Sequence, residues 1–179
     1  VIAVKRLSRE ELKERLAKVK LLALDVDGVL TDDSIFFGPD GFEMKRFNIS
    51  DGLFMVLAMR AGLELAIVSG RHSSATDTRM KDLGVKHVLQ GRSNKVEMIK
   101  PLLEQLGLQF SDIAFVGNEI LDIQLVQQAG VGIAVADSSD DLLAVADYVT
   151  EKPGGCGAVR ELIECYFEAV QRDPKSFLK

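Results

Sequence analysis

The chain of 179 residues is 47% apolar and carries 22 basic against 27 acidic residues, a net charge of −5. That length suits one domain with a sizeable core, the apolar content excludes a disordered chain, and no apolar run approaches the ~20 residues that cross a bilayer. The acidic balance and the lack of a long basic run disfavour nucleic acid as a partner, so bound phosphate must be attracted locally by a metal and a few placed cations.

In chain order, the first twenty residues are charged and helix-like, with no secretory pattern. Cys156 and Cys165 match no metal-ligand spacing, and a reduced, cytoplasmic setting is expected. Ser8 and Glu11 sit at capping-box distance and open a short helix over about 8–19, with Leu12, Leu16 and Val19 on one face. Leu21–Leu24 reads as a buried parallel strand that runs into Asp25-Val26-Asp27-Gly28. Side chains alternate along a strand, so Asp25 and Asp27 point the same way if the extended geometry persists through Val26. Converging carboxylates repel and need a cation or a shared proton. A hard divalent ion such as Mg²⁺, held by few carboxylates and keeping waters for a phosphate, fits.

Ser34–Phe37 and Glu43–Phe47 flank Gly38-Pro39-Asp40-Gly41 and predict a β-hairpin over about 34–47. Its aromatics, Phe36, Phe37, Phe42 and Phe47, suit either a contact surface or packing on their own domain. Ser50 or Asp51 can cap a helix from Leu53 to Ala61, whose start would lie beside Asp25 and attract anions. Leu63–Val68 is the second buried strand and ends in Ser69-Gly70-Arg71: a hydroxyl donor, a residue that permits close approach, and a positive charge. His72 and His87 read as surface and structural residues. A helix over Ser74–Leu83 precedes a short strand, Lys86–Leu89. Ser93 or Asn94 caps the next helix, which reaches about Leu106 and opens on Lys95, a lysine able to point at phosphate bound over the sheet. Ile113–Val116 ends in Gly117-Asn118-Glu119-Ile120-Leu121-Asp122, again metal-type ligands after a buried strand. Val131–Val135, a helix over Asp140–Ala146 and an edge strand at Tyr148–Thr150 follow. A flexible Pro153–Gly157 loop leads to a helix over Ala158–Val170, and the tail of about 171–179 reads as frayed.

Strands alternating with helices over short connections predict one α/β domain spanning 1–179: a doubly wound, parallel, Rossmann-like sheet with a small hairpin insertion and no large cap. In such a sheet the polar clusters at Asp25/Asp27, Ser69, Lys95 and Asn118/Asp122 gather at one edge. No G-x-x-x-x-G-K-[ST], G-x-G-x-x-G or H-E-x-x-H string occurs, which argues against nucleotide-binding and metalloprotease chemistry.

The order D-V-D-G, I-V-S-G-R, N-K and G-N-E-I-L-D resembles the four motifs of the haloacid dehalogenase superfamily. The longer strings L-D-V-D-G-V-L-T-D, R-F-N-I-S-D-G, G-R-S-N-K and P-G-G-C-G-A-V-R-E resemble the 3-deoxy-D-manno-octulosonate 8-phosphate phosphatases, over about Lys20 to Phe167. The resemblance implies a capless Mg²⁺-dependent phosphomonoesterase acting on a phosphorylated keto-deoxy sugar acid. It also implies a homotetramer with the hairpin at the subunit interface and the Gly-rich loop closing over the site. Asp25 would be the nucleophile and Asp27 the general acid and base, while Ser69 and Lys95 would hold the phosphoryl group. Mg²⁺ would sit on Asp25, the Val26 carbonyl and Asn118, with Asp27 and Asp122 as further metal candidates. Thr31, Asp51, Gly52, Gly70, Arg71 and Asn94 are the candidate phosphate or substrate contacts.

Asn118 stands where that family commonly has Asp, which removes one negative charge and predicts weaker metal binding with activity retained; Asp122 is placed to compensate. The same G-N-E string resembles the phosphatase-like domain attached to animal sialic-acid cytidylyltransferases. The alternatives are therefore a phosphatase for the 9-phosphate of a sialic-type acid, and a non-catalytic oligomerising module.

Overall fold

The computed structural model describes residues 6–178. Among them the strands are β1 (Leu21–Leu24), β2 (Phe36–Phe37), β3 (Glu43–Met44), β4 (Glu64–Ser69), β5 (His87–Gln90), β6 (Ile113–Gly117), β7 (Val131–Ala134) and β8 (Tyr148–Val149). The helices are α1 (Arg9–Leu16), α2 (Ile49–Arg60), α3 (Ser74–Leu83), α4 (Lys95–Leu106), α5 (Ile123–Gln128), α6 (Asp140–Leu143) and α7 (Ala158–Ala169). Strands β2 and β3 pair as an antiparallel hairpin; the others form one parallel sheet in the order β5-β4-β1-β6-β7-β8. The α/β architecture with a small hairpin is the one the sequence predicts.

β1 lies at the centre, in register with β4 (Leu24 opposite Ile67) and with β6 (Leu24 opposite Val116). All four of its side chains are buried, as a strand covered on both faces requires. Leu22 and Leu24 join Leu12, Leu16, Met55, Leu162 and Phe167 on the face covered by α1, α2 and α7. Leu21 and Ala23 join Ile99, Leu102, Phe115 and Leu125 on the opposite face, under α4 and α5. The chain builds β4 and β5 on one side of β1, then crosses to build β6, β7 and β8 on the other. Successive connections therefore diverge at the C-terminal end of β1, and a crevice opens there.

Several local expectations change: α6 stops at Leu143, short of the predicted Ala146, and α5 is an element that the sequence reading does not include. α2 starts one turn earlier than predicted, because Asn48 rather than Ser50 or Asp51 is its cap, accepting the N–H groups of Ser50 at 2.8 Å and Asp51 at 3.2 Å. That leaves Asp51 free to cap another helix: its carboxylate accepts the N–H of Gly157 at 3.3 Å and of Arg160 at 2.8 Å, at the start of α7. The hairpin strands are two residues each, shorter than predicted, since the turn closes with Gly38 donating to the Phe42 carbonyl. The C-terminal tail is docked rather than frayed. Pro174–Phe177 forms a 3₁₀ turn, Phe177 packs 5.8 Å from the Phe167 ring and lies under the Arg172 guanidinium, and Arg60 donates to the Phe177 carbonyl. A buried aromatic contact is what an unstructured tail lacks.

Candidate active site

β1 ends by handing its last backbone hydrogen bond to Asp25, whose N–H donates to the Val116 carbonyl at 3.0 Å. The chain then turns at once. The Val26 carbonyl accepts the N–H groups of Val29, Leu30 and Thr31, and the Thr31 hydroxyl accepts the Gly28 N–H at 3.3 Å. Gly28 has φ +77°, and a Cβ there would fall 1.8 Å from Asn118 Nδ2, so this position admits only glycine without rearrangement. The loop after β8 buttresses the turn from behind: Gly155 N–H donates to the Val29 carbonyl at 2.9 Å, and a Cβ on Gly154 would meet the Gly28 carbonyl at 1.8 Å.

Around this turn a cavity of about 300 Å³ is lined by Asp25, Asp27, Asp33, Ser69, Gly70, Arg71, Lys95, Asn118, Glu119, Leu121 and Asp122. That volume is at the small-ligand end of binding pockets. The larger cavities beside the hairpin and α2 hold none of these residues. Ser69 arrives at the end of β4, Lys95 at the first position of α4, and Asn118 directly after β6.

Lys95 Nζ lies 2.9 Å from Asp25 Oδ2 and 2.5 Å from Asp122 Oδ1, with all three side chains nearly or fully buried. Burial alone works against the ammonium, but the two carboxylates hold Lys95 protonated and raise its pKa. Burial and the charge of Asp122 push Asp25 up to about 7, against the pull of Lys95. Asp122 spends its other oxygen on the N–H groups of Asn118 at 3.0 Å and Glu119 at 3.2 Å, so it acts on the site through Lys95. Asn118 Oδ1 is buried with no hydrogen-bond donor among the described residues. Asp27 turns its carboxylate to Lys45, whose side chain is shielded from solvent.

The structure thus brings Asp25, Asp27, Ser69, Gly70, Arg71, Lys95, Asn118 and Asp122 to one cavity. Thr31, Asp51, Gly52 and Asn94 do not line it. Thr31 ties the β1 turn, Asp51 caps α7, Gly52 packs under Arg79, and Asn94 caps α4 by accepting the Glu97 N–H at 3.2 Å. The Val26 carbonyl is consumed inside the turn and is unavailable to a metal; the Asp27 carbonyl takes part in none of the hydrogen bonds among the described residues. The sequence motifs do not include Lys45, Glu43 or Asp33. The alternation Glu43-Met44-Lys45, which sends both charges to one face, was the available signal for the first two.

Among the described residues, no three His, Cys, Asp or Glu side chains gather as a metal cage. The fitting donor set is mixed: the Asp25 carboxylate, the Asp27 carbonyl and the orphaned Asn118 Oδ1. These are hard oxygen donors of the kind Mg²⁺ takes.

The family profile described as a haloacid dehalogenase-like hydrolase matches residues 87–162. The 3-deoxy-D-manno-octulosonate 8-phosphate phosphatase of Escherichia coli K12 is 41% identical over 146 residues, 82% of this chain and 78% of that protein. The phosphatase of the same name from Moraxella catarrhalis, crystallised with magnesium ion, phosphate ion and a KDO molecule, superposes with a TM-score of 0.88 at 38% identity, over 90% of this chain and 93% of that one. The cobalt-bound deoxy-D-mannose-octulosonate 8-phosphate phosphatase of Haemophilus influenzae superposes with a TM-score of 0.86 at 31% identity, over 92% and 99% of the two chains.

Lys95→Met leaves Asp25 and Asp122 buried without a cation, and is expected to destabilise the metal-free protein by about 3–5 kcal/mol at pH 8. The folded pKa of Asp25 is raised to about 7 from 3.8, so its contribution to stability is full below about pH 4 and is lost as pH rises through 7. The deficit of the variant should therefore shrink on acidification from pH 8 to 5. Urea unfolding in a chelating buffer checks this, and a deficit that is absent or grows at pH 5 contradicts it.

Proposed function

The chain belongs to the 3-deoxy-D-manno-octulosonate 8-phosphate phosphatase family of haloacid dehalogenase-like hydrolases, and on that premise we propose that this phosphatase hydrolyses 3-deoxy-D-manno-octulosonate 8-phosphate to the free sugar acid and phosphate. One observation carries the reading: a carboxylate, a hydroxyl, an ammonium and an undonated amide oxygen, from four separate segments, line one cavity.

Asp25 is the nucleophile. Its Oδ attacks phosphorus, the bond to the sugar oxygen breaks, and that oxygen takes a proton from the Asp27 carboxyl. Asp27 then removes a proton from water, which attacks the aspartyl-phosphate and returns Asp25 with release of phosphate. The Ser69 hydroxyl and the Lys95 ammonium hold the phosphoryl oxygens as charge shifts between entering and leaving groups. Asp25, the Asp27 carbonyl and Asn118 would hold Mg²⁺, which when bound would supply positive charge favouring ionised Asp25 and screening the approach of two anions. Support for that need comes from the metal-free site itself, where burial and the charge of Asp122 push the Asp25 carboxyl up to about 7 against the pull of Lys95.

The exposed hairpin residues Phe36, Phe37, Phe42 and Met44 suit contacts between copies, in a homotetramer. Sedimentation of the pure protein should give four times the chain mass, and a monomer at micromolar concentration removes this part of the reading.

Turnover of the eight-carbon 8-phosphate should exceed that of a sialic-type 9-phosphate, and Asp25→Asn should lower it by roughly 10³-fold or more. Preference for the nine-carbon ester replaces the substrate; inactivity on every phosphate tried, aryl phosphates included, leaves the non-catalytic module. Asn118→Asp adds a charged oxygen ligand and should tighten Mg²⁺ binding by roughly tenfold, read by calorimetry without substrate. Equal affinities would show that the amide costs the site nothing.

A further inference from the structure

The hairpin brings a carboxylate and an ammonium against two residues of the cavity lining, Glu43 against Arg71 and Lys45 against Asp27. Glu43 and Lys45 are two residues apart on an extended run, so both side chains leave one face. Glu43 Oε1 accepts the Ser73 hydroxyl at 2.7 Å, and Oε2 accepts an N–H of the Arg71 guanidinium at 2.5 Å. Lys45 Nζ stands 3.8 Å from the same Oε1 while it pairs with Asp27. Arg71 itself lines the cavity, two residues after Ser69.

A guanidinium beside a hydroxyl is a donor set that a carboxylate fills. Here the protein fills it with its own. The substrate proposed above carries a carboxylate as well as a phosphate, and once the phosphate is seated the acid end needs a cation near the mouth. Resting on that substrate reading, we propose that Glu43 is an internal stand-in for the substrate carboxylate, holding Arg71 and Ser73 until a sugar acid displaces it. Two features make the exchange easy. The Arg71 side chain is 41% exposed and so open to an incoming anion, whereas its Glu43 partner is 13% exposed. The displaced Glu43 carboxylate meets Lys45, already alongside, so no charge is stranded. A sugar phosphate without a carboxylate has nothing to offer Arg71 and meets a donor set already filled. The hairpin thereby screens substrates for the acid group. Glu43 is a specificity-determining residue on this account; it touches none of the reacting atoms.

The test compares KM for the sugar-acid 8-phosphate with KM for a neutral sugar phosphate of similar length, using the full chain loaded with Mg²⁺. Glu43→Gln keeps the shape but loses the competing charge, and should lower the ratio of acid to neutral KM by about threefold to tenfold. Arg71→Met should raise that ratio by about tenfold or more, and adding Glu43→Gln to it should have no further effect. If Glu43→Gln raises KM for both esters alike, Glu43 merely props the hairpin and the proposal falls; it falls equally if Arg71→Met leaves the ratio unchanged. Failure of the substrate reading looks different: the wild-type protein would then hydrolyse aryl phosphate but not the 8-phosphate. In that protein the exchange is read from inhibition of aryl phosphate turnover by free 3-deoxy-D-manno-octulosonate. Stronger inhibition of Glu43→Gln than of wild type upholds it, and unchanged inhibition overturns it.

Discussion

One ammonium group, Lys95 Nζ, lets two carboxylates share the interior of this protein. Asp25 and Asp122 lie in the segments that follow the first and fourth strands of the main sheet in chain order, and both are cut off from water. Without a cation between them the like charges and the lost hydration would force one to stay protonated. The position of Lys95 at the first turn of α4 therefore governs how close β1 and the β6 loop can come at their ends. Phe115, on β6, closes the site beneath it, with its ring 5.8 Å from the ammonium. The pair of contacts is also unequal in consequence. Asp122 is saturated by Lys95 and two amides, whereas Asp25 keeps a proton affinity far above an ordinary carboxylate. That residual imbalance is what a divalent ion corrects.

The backbone around Asp25 is built to the same end. A single carbonyl, that of Val26, collects three N–H groups and folds the chain back within a few residues, and the next carbonyl, that of Asp27, accepts no hydrogen bond among the described residues. Side-chain volume is excluded from the turn on both sides: Asn118 fills the space in front of Gly28, and the Gly154–Gly155 backbone presses on it from behind. Asp33, just beyond, sits at φ +64°, a strained value for a residue with a Cβ, and its carboxyl is pushed up by burial and by Asp27, Glu119, Asp137 and Asp32. The mouth of the cavity is thus acidic, and at depth the single ammonium of Lys95 is shared by two carboxylates, so an anionic ester is drawn in only when further positive charge is in place there.

Much of this is legible in the amino-acid sequence. The apolar run Leu21–Leu24, the strand–helix alternation and the polar residues closing each strand determined a parallel α/β sheet and put Asp25, Asp27, Ser69, Lys95 and Asn118 at one edge, because the period of a strand and the hand of a crossover leave few other arrangements. The capping pair Ser8 and Glu11 was readable for the same reason: it is a contact across three residues. Distance along the chain is what hid the rest. Asp51 looked like the cap of its own helix and caps one that begins 107 residues later, and Asn48 took the role instead. The tail's polar composition gave no sign that Phe177 has a partner in Phe167. That the Val26 carbonyl is taken up inside the turn, and that Glu43 and Lys45 reach Arg71 and Asp27 from the hairpin, depends on a turn and a loop whose geometry only packing sets. Local periodicity is written in the sequence; the choice among equally polar groups at the site was made by the close approach of segments far apart in the chain.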